Sequence, residues 1–166
     1  MKLGIIGPTN FSSLEKINPE SKKIISKIVK GVIDKEIALT PDKGSVSEFF
    51  AKEYLENKGK KVYSIMPLDD KEFGYSWINT EIGEQINCGT WRNQPEKLNE
   101  ETNALICLGY AEGVLIEIAY SKWFPKGKAK KPVYIIKELV SGRLPKDATK
   151  KVDVKYISYK NIGKWI

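Results

Sequence analysis

Short apolar runs alternate with longer amphipathic ones along most of the chain. "KLGIIG" (2–7) has the length and continuity of a buried strand and is closed by Gly7-Pro8. After a loop, Asn18 can cap a helix with Pro19 at its first position, and Ile24, Ile25, Ile28, Val29, Val32 and Ile33 recur at helical spacing. The strand "EIALT" and the turn "PDKG" lead to a helix from Ser45 to about Asn57, with Val46, Phe49, Phe50 and Tyr54 on one stripe and Gly59 as its stop. "KVYSIM" is a third strand, ended by Pro67. The pattern weakens from Leu68 to about Thr90, which predicts a long excursion with a short hairpin around Gly74. Arg92 to Glu101 predicts a helix or partial helix. "ALICLG", a helix holding Glu117, "PVYII" and a last strand near "VKYIS" complete the series, and "YKNIGKWI" should pack back on the domain or on a partner subunit.

Strands apolar almost throughout, alternating with helices, predict a parallel sheet covered on both faces. The expected fold is α/β: a doubly wound, mostly parallel, Rossmann-like sheet forming one domain over residues 1–166. In such a sheet ligands bind beyond the carboxyl ends of the strands, where strand order reverses. That rule selects the loops at 7–13, 41–45, 67 onward and 109–113.

Composition narrows the chemistry. The chain has no histidine, which removes Ser-His-Asp and Cys-His catalysis and the commonest metal ligand. Its two cysteines, Cys88 and Cys107, lack metal-site spacing, so neither a disulfide nor a metal is expected, and no resident cofactor is implied. No apolar run approaches the roughly 18 residues of a membrane span and no signal peptide is evident, so a cytoplasmic protein without membrane contact is expected. The net charge is +7, but all save two of the 28 basic residues are lysines, scattered over polar faces, with a cluster "KGKAKK" at 126–131. Few aromatics interleave with them, so a solubilising surface is expected rather than a nucleic-acid track.

Three stretches could carry chemistry. In "TPDKGSVSE", Gly44 and Ser45 precede a helix whose free N–H groups could take a phosphate, yet Ser45 and Glu48 also form the S-x-x-E capping box that would consume those groups. In "GYAEGVLIE", apolar residues occupy most of the helix circumference and predict a largely buried helix, with Gly113, Glu117 and Tyr120 on the remaining stripe. That stripe is either the helix's solvated face or a carboxylate aimed at a ligand across a glycine-lined gap. In "GTWRNQ", Arg92 suits a phosphate or carboxylate, or a surface ion pair. Neither G-x-G-x-x-G nor a Walker A motif occurs.

In order and spacing, "GIIGPTN", "DKGSVSE", "WRN" ahead of "TNALICL", and "GYAEGVLIE" resemble the SLOG superfamily, the Rossmann-like group of the Lonely Guy phosphoribohydrolases and molybdenum cofactor carrier proteins. The resemblance covers about residues 1–137. It implies a nucleotide or other phosphorylated small molecule held near Gly7, Gly44, Ser45, Gly109 and Gly113, and a homodimer or larger homo-oligomer. In the hydrolase branch it assigns Glu117 and Arg92 to cleavage of the N-glycosidic bond of a nucleoside 5′-monophosphate, through an oxocarbenium-like state that a carboxylate can stabilise. Tyr110-Ala111 replaces the family's glycine pair and Val114 its threonine, a departure that favours a non-catalytic carrier or sensor of a nucleotide or pterin-type cofactor. Single-stranded DNA binding is the third alternative, since DNA-processing protein A shares the fold. The nucleotide reading requires Glu117 and Arg92 to converge over one pocket.

Overall fold

Successive residues of the central strands enter two separate cores. Leu3 and Ile5, Ile106 and Leu108, and Tyr134 and Ile136 face one side of the sheet, while Ile6, Leu105 and Cys107, and Val133 and Ile135 face the other. Both faces are therefore covered, which is why these runs lack polar alternation. The computed structural model describes residues 1–125 and 127–166. Lys126, the first residue of the lysine cluster, lies outside the described residues.

The strands are β1 (Lys2–Ile6), β2 (Glu36–Leu39), β3 (Lys61–Met66), β4 (Glu84–Asn87), β5 (Ala104–Cys107), β6 (Pro132–Ile136) and β7 (Asp153–Ile157). They form one sheet in the order β4-β3-β2-β1-β5-β6-β7, and every pairing is parallel. Strand order reverses between β1 and β5, so the loops after these two strands diverge and leave a crevice.

One core receives Leu14 of α1 (Phe11–Ile17), the apolar stripe of α2 (Ser21–Gly31), Val46, Phe50 and Tyr54 of α3 (Val46–Glu56), and Ile162 from the chain's end. The other receives Leu98 of α4 (Gln94–Glu101) and Val114 and Ile118 of α5 (Glu112–Tyr120). Two single-turn helices, α6 (Lys146–Thr149) and α7 (Ile162–Trp165), lie in the C-terminal segment. That segment packs back on the domain: the Tyr134 hydroxyl donates to the Trp165 carbonyl at 3.1 Å.

The structure departs from the sequence pattern in three places. The loop after β1 contains α1, capped by Asn10, whose Oδ1 accepts from the Ser12 amide at 3.0 Å. Asn18 ends α1 and turns the chain into α2, which begins at Ser21. The excursion after β3 holds no hairpin at Gly74; it ends instead in the parallel edge strand β4, mostly exposed and therefore without an apolar signature.

Candidate functional site

A cavity of about 360 Å³ opens at the β1–β5 reversal, between the loop after β2, the start of α4 and the first two turns of α5. Glu117 lines it. The helical pattern left two orientations open for this carboxylate, and it points inward; Leu115 is instead exposed at 43%, and Ile116, at 49%, lies both in solvent and on the cavity's lining. Helix α5 is thus not largely buried, as its apolar circumference suggested, but half covered.

Helix α4 holds Glu117 at two points. The Gln94 side-chain amide donates to Glu117 Oε1 at 2.9 Å and to Thr40 Oγ1 at 3.0 Å, and the Asn99 amide donates to the Glu117 backbone carbonyl at 2.9 Å. Asn99 is itself anchored, because the buried Lys131 ammonium donates to its Oδ1 and backbone carbonyl and to Thr102 Oγ1. Burial pushes the Glu117 carboxyl up to about 7, against the lowering effect of Gln94 and with a further rise from the Asp42 charge.

Asp42 lines the same cavity, and burial lifts its carboxyl to about 6. Two carboxyls titrating near neutrality in one crevice are a mark of functional sites. The sequence shows Asp42 only as part of the turn "PDKG". Its signal lay in the position of that turn, at the carboxyl end of β2.

The excursion after β3 builds the outer wall. Asp70 Oδ1 accepts from the amides of Glu72 and Phe73, and its Oδ2 accepts from the Trp91 amide at 3.0 Å, which holds the Asp70 carboxyl below its usual range. The Trp91 indole donates to the Gly74 carbonyl at 2.7 Å and stacks on Trp77, centroids 5.3 Å apart and planes 10° apart. The Lys43 amide donates to the Trp77 carbonyl, so the loop after β2 fixes the pair beside the cavity. The stretch without periodicity thus supplies the aromatic surface of the site; its cue was two of the chain's four tryptophans in an otherwise polar region.

The expected site residues divide. Gly7 and Gly113 line the cavity with Glu117. Gly109 does not line it: at φ +143° it packs close to Pro8, which a side chain there would meet at 2.9 Å. Gly44 and Ser45 lie in a shallower groove on the other side of α3's start, and the capping box consumes their amide environment. The Gly44 amide donates to Glu48 Oε2 at 2.8 Å and the Glu48 amide to Ser45 Oγ at 3.0 Å, while the Val46 amide donates to the Pro8 carbonyl. The phosphate role read for this turn therefore loses its donors. Arg92 does not converge with Glu117, so the shared pocket that the sequence reading required is not formed, and a ligand reading of the crevice rests instead on Glu117, Asp42 and the tryptophan pair. The Arg92 side chain is 67% exposed and pairs with Glu72 at 2.9 Å, while its neighbours Trp91 and Gln94 face the cavity. Tyr110 leaves the cavity open, because its hydroxyl turns away to the Gly142 carbonyl and Tyr156 hydroxyl, both at 3.1 Å, and fastens the C-terminal segment.

An anion could still be met at the N-terminus of α5, which has no side-chain cap and borders a second hollow lined by Thr9, Asn10 and Ser13. Cys107 is inert: it is buried in β5 and burial raises its thiol to about 12. Among the described residues no group of three or more acidic or cysteine side chains is placed to hold a metal ion, and no helix is long and apolar enough to cross a membrane.

Neither a protein-family model nor a curated protein matches this sequence. Solved structures do match. The molybdenum cofactor binding protein of Rippkaea orientalis superimposes with a TM-score of 0.68 at 14% identity, over 99% of this chain and 93% of that one. The Moco carrier protein of Chlamydomonas reinhardtii superimposes with a TM-score of 0.63 at 17% identity, over 99% of this chain and 98% of that one. The fold is that of these two proteins. At these identities the likeness extends to the whole architecture, including the C-terminal segment, and stops at the fold.

Proposed function

We propose that this protein is a nucleotide- or cofactor-binding protein of SLOG type that holds its ligand, without turnover, in the crevice between β1 and β5. The observation that carries the reading is Glu117: an inward carboxylate, fixed by Gln94 and Asn99, facing a 360 Å³ cavity beside a stacked tryptophan pair. The heterocycle lies against this wall and the phosphate at the uncapped start of α5 and Thr9. The ligand named for the Rippkaea and Chlamydomonas proteins is the molybdenum cofactor; the flat aromatic wall here suits a pterin-type ring, while no described lysine or arginine lines the cavity to meet a second anionic group. The altered glycine pair and the distance of Arg92 from the cavity favour binding over catalysis. The exposed apolar side of α5 supports a homodimer or larger homo-oligomer.

A second reading, N-glycosidic hydrolysis of a nucleoside 5′-monophosphate, is favoured by the two near-neutral carboxyls. Glu117 would stabilise the developing positive charge, and any contribution from Arg92 would need Glu72 to release it. Calorimetry with a panel of nucleoside monophosphates and pterins, followed by assay for free base, separates the two. Binding that weakens at least about tenfold in Glu117→Ala, with no base released, is the expected result. Base release lost in that variant would put hydrolysis first, and heat from no ligand would refute both.

A further inference from the structure

Side-chain acceptors crowd this cavity and side-chain donors are few; the backbone N–H groups at the uncapped start of α5 are the main-chain donors that remain. Asp42, Glu112 and Glu117 line it, and among the described residues no lysine or arginine does, although the chain carries a net charge of +7. Gln94 commits both hydrogens of its amide, to Glu117 and to Thr40. Thr40 in turn spends its only hydroxyl hydrogen on the Ile65 carbonyl at 3.0 Å. From side chains on the lining, only the hydroxyls of Thr9 and Ser47 and the indole N–H of Trp77 could still donate. Against this, Asp42 Oδ1 is buried and accepts no hydrogen bond among the described residues, and Glu117 Oε2 remains open beyond the single bond made to its partner oxygen. A buried carboxylate oxygen without a donor is an uncompensated group, and whatever enters the cavity is selected for supplying one. The walls limit the shape. Ile5, Ile6 and Val114 are apolar, and the parallel indoles of Trp77 and Trp91 favour a flat ring over a flexible amine.

We infer that the cavity is a subsite for the donor edge of an aminated heterocycle, the 2-amino-4-oxopyrimidine ring shared by guanine and the pterins, whose ring N–H and exocyclic NH₂ reach Asp42 side by side. A carboxylate can take two parallel N–H···O bonds from one rigid edge, which would give the buried, unpartnered Asp42 Oδ1 its missing donor, and Glu117 accepts a further donor from the same ligand. The inference rests on the proposed reading that this crevice is the ligand site, and it fixes which end of the ligand lies innermost.

Binding is followed by calorimetry and by quenching of tryptophan emission at pH 8, with GMP, inosine 5′-monophosphate, AMP, UMP and 6-hydroxymethylpterin as probes. GMP or the pterin should bind at least about tenfold more tightly than inosine monophosphate, which lacks only the 2-amino group, and Asp42→Asn should erase that preference. A tighter complex with GMP identifies a nucleotide as the source of the ring, and one with 6-hydroxymethylpterin a pterin cofactor. Binding of inosine monophosphate as tight as that of both GMP and the pterin, or a preference for AMP or UMP, overturns the inference and leaves the binding reading standing. No binding by any probe overturns both. The comparison of GMP and the pterin with inosine monophosphate uses the unaltered protein, so it decides the matter even if the Asp42 variant fails to fold.

Discussion

Glu117 is held folded at an energetic cost that should be measurable without knowing the ligand. Its carboxyl ionises near 4.5 when free and near 7 in the folded protein, because burial and the Asp42 charge disfavour the anion. The folded state therefore binds this proton more tightly than the unfolded state. The resulting stability is fully present below about pH 4.5 and is lost as pH rises through about 7. Asp42, raised to about 6, acts in the same direction over a slightly lower window. Glu117→Gln keeps an oxygen for Gln94 and removes the charge, so the variant should be more stable than the parent by about 1–3 kcal/mol at pH 8 and equal to it near pH 4. Urea denaturation at the two pH values checks this. A variant less stable at pH 8 would mean that the carboxylate is already neutralised by a partner. A residue that destabilises its own fold in the charged form is retained for something other than packing, which is the physical content of placing it in a site.

Among the elements, α3 illustrates why one motif supported two opposite expectations. Ser45 and Glu48 were legible from the S-x-x-E spacing, but spacing alone could not decide whether the helix start meets an anion or caps itself. The structure decides through Glu48, which accepts from the Gly44 amide and the Asn79 side chain and pairs with Lys52 at 2.8 Å. Asn79 belongs to the excursion that carries Trp77, so this one carboxylate ties α3 to the wall of the site. Ser45→Ala should cost about 1 kcal/mol, the ordinary value of a lost cap, and Glu48→Ala more, about 1–3 kcal/mol, with reduced protection of the excursion in hydrogen exchange. Equal losses would show that the excursion is fixed by its own contacts. The strands β1, β2, β3, β5 and β6 were readable because burial on both faces leaves continuous apolar runs. Strand β4, "EQIN", and helix α1, with its polar first turn, carry no such signature, and α5 is apolar on too many sides for periodicity to say which one faces inward. The glutamate was found in the sequence, but its partners were not, because Asp42, Gln94 and the tryptophan pair meet only through the topology.

For the molecule as a whole, the inward turn of Glu117 has a counterpart on the outside. Helix α5 spends Val114 and Ile118 on the core and leaves Leu115 and Ile116 in solvent, and the turn that follows it exposes Trp123 at 68%. A helix apolar around most of its circumference is ordinarily buried on all sides, so the outer face lacks a covering layer. A second copy of the chain is the covering expected, since a two-fold axis can set this patch against itself, and Gly113, where an added side chain would meet nothing within 4 Å, permits close approach of two backbones. Charge opposes the pairing: each copy brings +7, so the repulsion should be relieved by salt. Sedimentation velocity at micromolar concentration should therefore show a dimer or larger species, more fully populated at about 500 mM than at about 50 mM salt, where the Debye length shrinks severalfold. Leu115→Lys together with Trp123→Ser should return the protein to monomer while leaving urea stability within about 0.5 kcal/mol, because both side chains are already exposed in the isolated chain. A monomer at every concentration and salt would leave α5 as an exposed apolar face on a single chain. Association that the double variant does not reduce would place the interface on another surface, away from the mouth of the crevice.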